Sequence, residues 1–205
     1  MDVELVAITP HAEAVIERAA RTCYQSADRA TPDSAESLLP KLLASGHESP
    51  FEHAYATFRI AGVSRAMTHQ LVRHRIMAVS QKSQRYVSEK NFEYVIPPSV
   101  PESLRDEFKQ DMETVRRMYA RWKAHGLRNE DARFVLPNAC QTELMISADF
   151  REFRHIFAVR LNQHAQWEIR EACRRMLEVL YREAPACFRD IIESVKASGK
   201  SESQE

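Results

Sequence analysis

Two rhythms of apolar and polar positions run along this chain. Val3, Leu5, Val6, Ala7 and Ile8 form a short apolar run that predicts a strand. Thr9-Pro10 follows, and predicts a helix running toward Cys23 with Thr9 as cap and proline at the first helical position. The leucine-rich stretch 38–43 ends at Gly46, the residue type that commonly closes a helix. Ala54, Ala56, Phe58 and Ile60 then alternate with Tyr55, Thr57 and Arg59, a period of two that predicts a half-buried strand. After Gly62 the rhythm changes to a short helix carrying Arg65, Gln70 and Arg73. Residues 92–96 predict a further strand, stopped by Pro97-Pro98. Leu104, Phe108, Met112, Val115, Tyr119 and Trp122 step by three or four, as on an amphipathic helix. A last long helix is expected from about residue 150 into the 180s, with Ser147 or Asp149 at its N-cap. Strands and helices mix without regular βαβ alternation, so the expected class is α+β, a mixed sheet packed with helices.

Length and composition narrow the function classes. A chain of 205 residues with 44% hydrophobic positions suits one catalytic domain, placed at 1–190. The polar end, 191–205, is expected to be a frayed tail. Twenty-nine basic residues balance 29 acidic ones, which argues against binding bulk nucleic acid or an anionic membrane by charge alone. No apolar run reaches the roughly 18 residues a spanning helix needs, and the acidic start lacks a signal-peptide pattern. A cytoplasmic protein with no membrane and no nucleic-acid partner is the expectation. Cys23, Cys140, Cys173 and Cys187 form no CxxC pair, so no metal site is expected from them. With four glycines and neither GxGxxG nor a P-loop, any phosphate must be held by side chains.

Three clusters carry candidate chemistry. Between Gln70 and Tyr86 lie Arg73, His74, Arg75, Ser80, Gln81, Lys82, Ser83, Gln84 and Arg85, and no acid stands between Glu52 and Glu89. A solvated basic face would ordinarily be interspersed with acids. Guanidinium forks flanked by serine and glutamine form a local positive basin suited to a small phosphorylated ligand. The second cluster, Gly46-His47-Glu48-Ser49-Pro50-Phe51-Glu52-His53, reads as a polar turn, with a metal site on His47 and His53, joined by Glu52, as the sharper alternative. The third contains Asp149, Arg151, His155, Arg160, His164 and Trp167 on one helix, the last three at i, i+4 and i+7 and hence on one face. Arg160 adjoins Phe157, Ala158, Val159 and Leu161, so it needs an anionic or carbonyl partner at the edge of the core. Arg133 likewise leads into an apolar run. No nucleophile–base pair declares itself. The residues alone define a multi-arginine site for a phosphorylated, partly aromatic small molecule, and leave the reaction open.

The same residues resemble the flavin-dependent thymidylate synthases. That family's signature, Arg-His-Arg, seven residues, then Ser, stands here as Arg73-His74-Arg75 and Ser83. The likeness extends to Gln70, Arg85-Tyr86, the stretch 46–53, the stretch 132–137 and the stretch 160–168. It implies the single-domain α+β subunit of that family and a methyltransferase of dTMP biosynthesis. The reaction would be reductive methylation of dUMP, with 5,10-methylenetetrahydrofolate as carbon donor, NADPH as reductant and FAD as electron carrier, without an enzymic nucleophile. By resemblance dUMP would be held by Gln70, Arg73, Gln81, Lys82, Ser83, Gln84, Arg85, Arg133 and Arg160, with Arg160 the catalytic group at the uracil edge. His47, Ser49, Arg73, His74, Arg75, Gln81, Asp149, Arg151 and His155 would hold the flavin and its neighbours, with no metal. It further implies a homotetramer whose active sites are shared between subunits. Two places depart from the pattern: Ser80-Gln81 where many members carry Asn-Glu, and His155 where many carry asparagine. The rival classes are a nucleic-acid module using Arg73, Arg75, Lys82 and Arg85, and a metal-dependent hydrolase built on His47, His53 and His74.

Overall fold

The computed structural model describes residues 1–201, with side chains through residue 197. Four strands, β1 (Asp2–Ile8), β2 (Tyr55–Ser64), β3 (Ala78–Gln81) and β4 (Gln141–Asp149), form one sheet in the order β1-β2-β4-β3. Among the described residues eight helices accompany it: α1 (Ala12–Cys23), α2 (Ser34–Ala44), α3 (Arg65–Leu71), α4 (Arg105–Ala124), α5 (Asn129–Ala132), α6 (Phe150–Arg160), α7 (Trp167–Glu183) and α8 (Pro185–Ser201). The α+β class is as expected, although the sheet is antiparallel throughout rather than mixed.

The chain divides into two compact units, each assembled from separate stretches. The first comprises Met1–Asp2, Ile60–Arg73 and Ser80–Leu144. Its small core joins Phe92, Met112 and Cys140, with Tyr94, Phe108, Val115 and Leu136 packed around them. Phe108, Met112 and Val115 come from α4 at the three- and four-residue spacing read in the sequence, and Tyr119 lies one turn on, fully buried. α3 is capped by Ser64, whose hydroxyl accepts from the Met67 amide at 3.0 Å. Arg73 lies just beyond this helix, not on it. The strand expected at 92–96 reduces to a single bridge, Tyr94 to Cys140, because Pro97 and Pro98 cannot extend a ladder.

The second unit comprises Val3–Arg59, His74–Val79 and the chain from Met145 onward. Its core is aromatic: Phe150 packs on Phe188 at 5.1 Å, Phe153 on Phe58 at 5.5 Å, and Phe157 on Phe188 at 6.1 Å between ring centroids. α2 ends as expected at Gly46, whose φ of +74° closes a Schellman turn in which the amides of Gly46 and His47 donate to Leu43 and Leu42. α1 starts later than expected. His11, at φ +51°, precedes it, while the Thr9 hydroxyl accepts from the Tyr55 amide at 2.9 Å instead of capping.

The single helix expected from 150 into the 180s is two, α6 and α7, because Gln166 opens a second helix by accepting from the amides of Glu168 and Ile169. Arg160, His164 and Trp167 therefore share no continuous face. The tail expected from 191 begins within α8. That helix carries to Ser201 with Ile191, Ile192 and Val195 at helical spacing; residues 202–205 lie outside the described residues.

Candidate active site

Asp149 ends β4 and begins α6, and its carboxylate accepts from the Glu152 amide at 2.7 Å. That cap fixes the first turn of α6. Glu152 and Arg160 are then separated by two turns, at i and i+8, so both lie on neighbouring stripes of the helix. His74, brought back from another part of the second unit, stands between them. Arg160 Nε donates to His74 Nε2 at 3.0 Å, and His74 Nδ1 lies 3.5 Å from Glu152 Oε1. His74 and Glu152 are each only 7% exposed.

The protonation state follows from the donors. A guanidinium has no acceptor, so Nε2 must be bare and the ring proton must sit on Nδ1. Burial first, then the neighbouring Arg160 and His155, lower the His74 pKa to about 4, so the ring is neutral at physiological pH. Its contact with Glu152 is thus a dipole facing a carboxylate and not an ion pair, although the separation alone would admit one. Burial also raises the Glu152 pKa, against the opposing pull of His155. The His155 ring lies across His74 at 5.5 Å and 70°.

The rest of the expected flavin set belongs to the same unit, apart from Arg73 and Gln81. His47 and Ser49 are exposed, Ser49 opening a one-and-a-half-turn 3-10 segment, Ser49–His53. Arg75 is exposed. Arg151, also exposed, pairs with Glu52 and, at 3.5 Å, with Glu48. His155 reaches the surface beside the His74–Arg160 pair. The geometry therefore gathers His74, Asp149, Arg151, His155 and Arg160 along α6 and its cap.

The expected nucleotide-holding set, Arg160 apart, belongs to the first unit. Gln70 lies in the last turn of α3, and Arg73 follows the helix, exposed. Gln81 donates to the Thr68 and Thr142 hydroxyls at 2.9 and 3.3 Å. Lys82 is locked on three sides: its amide donates to Glu143, its carbonyl accepts from Arg65 at 2.6 Å, and its ammonium meets the buried Glu89 at 2.9–3.0 Å. A lysine so committed offers a ligand its place in the loop more than its charge. The Ser83 hydroxyl accepts from the Arg85 amide at 3.2 Å, and its carbonyl accepts from Val87, so the segment 83–87 folds into a turn. Gln84 is half-buried within it. Arg85 pairs with Glu130, Arg128 pairs with the same carboxylate, and Arg133 Nε donates to the Glu130 carbonyl at 3.2 Å. Three arginines thus converge on one residue, a density of donors that suits an anion.

Glu152, Glu130, Glu89 and Arg128 were not singled out from the sequence. Glu152 stands three residues after Asp149, where a carboxylate reads as half of a capping box, and nothing local shows a histidine 78 positions earlier in the chain facing it. Glu130 carried a weak signal, an acid three residues before Arg133. The three buried thiols are unsuited to nucleophilic work: burial pushes Cys140 and Cys173 up to about 12 and Cys187 higher still. Among the described residues no group of three or more His, Cys, Asp or Glu could hold a metal ion, and no helix is long and apolar enough to cross a membrane.

Comparison with known proteins gives a consistent assignment. Residues 4–186 match the family described as thymidylate synthase complementing protein. The flavin-dependent thymidylate synthase of Geobacter sulfurreducens is 41% identical over 200 residues, covering 93% of this chain and 86% of the relative. That of Clostridium tetani is 36% identical, covering 91% and 85%. The fold matches thymidylate synthase X of Helicobacter pylori, solved with FAD and dUMP, at a TM-score of 0.81 and 24% identity over 93% of this chain and 99% of that one. On the extent of the family match and the identity to these relatives, this chain belongs to the flavin-dependent thymidylate synthase family.

Proposed function

We propose that this protein converts dUMP to dTMP by reductive methylation, taking the carbon from 5,10-methylenetetrahydrofolate and the electrons from NADPH through FAD. The observation that carries the reading beyond family membership is Arg160, a guanidinium fixed through Nε by a neutral, buried histidine. FAD, when bound, supplies the redox step that joins NADPH oxidation to reduction of the transferred carbon. The side chains fit such a group: Arg73 and Arg75 are exposed guanidinium forks suited to a diphosphate, which a chain without a glycine-rich turn must bind through side chains. Arg151 and His155 extend that donor set along α6, and His47 and Ser49 add polar groups from the turn beyond Gly46.

Arg160 places positive charge where the uracil ring gains negative charge at N3, which raises electron density at C5 and removes the need for an enzymic nucleophile. The inert thiols of Cys140 and Cys173 accord with that division of labour. Ser83, Gln84, Arg85 and the amides of their turn hold the phosphate; Gln70, Arg73, Gln81 and Arg133 position the nucleotide; Lys82 anchors the loop. Residues 1–190 act as one catalytic domain, four chains form a homotetramer with shared active sites, and the enzyme works in the cytoplasm. Four free thiols are in keeping with a reducing compartment.

The test joins binding to turnover. Protein reconstituted with FAD and freed of excess is expected to keep a flavin absorption band that shifts saturably with dUMP, and to form dTMP when folate and NADPH are added. Arg160→Ala is expected to lower dTMP formation by at least ~100-fold while leaving the flavin band in place. A colourless protein indifferent to dUMP would overturn the reading. Unchanged turnover in Arg160→Ala would overturn the role given to Arg160.

A further inference from the structure

An arginine side chain has four rotatable bonds, and at the end of a helix nothing in the backbone aims it. Here His74 takes the Nε proton of Arg160 at 3.0 Å and so fixes that edge of the guanidinium. This works in one state of the imidazole only. A proton on Nε2, in the other tautomer or in the imidazolium, would set two donors against each other and push the guanidinium away. The ring itself does not choose between its nitrogens; the group facing Nδ1 does. That group is Glu152, whose Oε1 lies 3.5 Å away, in a site nearly closed to water. Its place is set by the cap that Asp149 makes to its own amide.

We propose that Glu152 is a positioning residue for the reaction: its carboxylate holds His74 in the Nδ1–H tautomer, and His74 Nε2 thereby orients the Arg160 guanidinium toward the pyrimidine. The inference rests on the role assigned to Arg160 above. A separation of 3.5 Å is an electrostatic contact more than a short hydrogen bond. The other charged or titratable groups acting on the ring are Arg160 and His155, while Asp149 acts on Glu152. The carboxylate that faces Nδ1 is that of Glu152, with Oε1 3.5 Å away. Low polarity around the pair strengthens the preference. The ring nitrogens of His74 are then both in use, so His74 meets a flavin through its ring face or its backbone.

The experiment uses the FAD-reconstituted enzyme with ring-15N histidine, in the wild type, Glu152→Leu and Glu152→Gln. Glutamine keeps an acceptor oxygen for Nδ1–H; leucine fills the space without one. In the wild type at pH 7 the His74 nitrogen shifts are expected to report a protonated Nδ1 and a bare Nε2. Glu152→Gln is expected to keep that pattern, with kcat within about threefold of wild type. Glu152→Leu is expected to mix the tautomers and lower kcat about tenfold, with the flavin band unchanged, as an indirect effect on one oriented charge. A wild-type ring protonated on Nε2 would overturn the inference even if neither variant folds. So would a leucine variant with the wild-type tautomer and wild-type kcat. An inactive wild-type enzyme would sink the role of Arg160, while the nitrogen shifts would still decide whether Glu152 sets the tautomer.

Discussion

Proton binding at His74 has a defined direction. In the unfolded chain the imidazole titrates near its ordinary 6.5, whereas burial, Arg160 and His155 lower it to about 4 in the fold. Between those values the unfolded state binds a proton that the folded state refuses, so stability falls as pH drops from 6.5 toward 4. A shift of this size corresponds to at most about 3 kcal/mol. Glu152, whose pKa burial raises, works in the opposite sense near the acid end and reduces the net loss. His74→Gln keeps an acceptor for Arg160 but removes the titration. Urea unfolding at steps from pH 7 to pH 4 is expected to show a steep decline in the wild type and a shallower one in the variant. Parallel declines would assign the acid sensitivity to other groups. The arrangement was only half legible in the sequence. The clustered Arg73, His74 and Arg75 marked an anion site, but the partners that set the state of His74 lie 78 and 86 positions away, and no local pattern encodes them.

At the scale of elements, Asp149 shows how a structural and a ligand-binding role can be separated. Its carboxylate caps α6 through the Glu152 amide, and it is also expected to touch the flavin. Asparagine caps as well as aspartate, so Asp149→Asn is expected to leave the melting temperature nearly unchanged. Asp149→Ala is expected to lose about 1 kcal/mol. Thermal melts of the apoprotein test the cap. A flavin titration of the asparagine variant then reads the charge alone, and a melting temperature as low as that of the alanine variant would mean the carboxylate does more than cap. Legibility again follows the physics. β2 was plain because Ala56, Phe58 and Ile60 are buried apolar residues in strict alternation. β4 alternates just as strictly, burying Thr142, Leu144, Ile146 and Ala148, yet two of these are small or polar and Met145 faces outward, so the period is diluted. The break between α6 and α7 was missed because apolar spacing continues through Trp167, while the break depends on Gln166, an unusual N-cap.

Whole-molecule function turns on how the arginines are shared out. A chain whose formal charges cancel still concentrates guanidinium groups locally. Arg73, Arg85 and Arg133 fall in the first compact unit, and Arg75, Arg151 and Arg160 in the second. A homotetramer with shared sites would let one site take its first-unit residues from one subunit and its second-unit residues from another. Subunit complementation tests this directly. Arg133→Ala and Arg160→Ala are each expected to be nearly inactive alone. After dissociation and random reassembly of an equal mixture, sites drawing the two arginines from different chains would receive both about a quarter of the time, so roughly a quarter of wild-type dTMP formation should return. If every chain carried a whole site, the mixture would stay as inactive as its components. A mixture that remained inactive while sedimenting as a tetramer would therefore place Arg133 and Arg160 of each working site on a single chain, and would reject sharing of this pair between subunits without touching the assignment of the reaction.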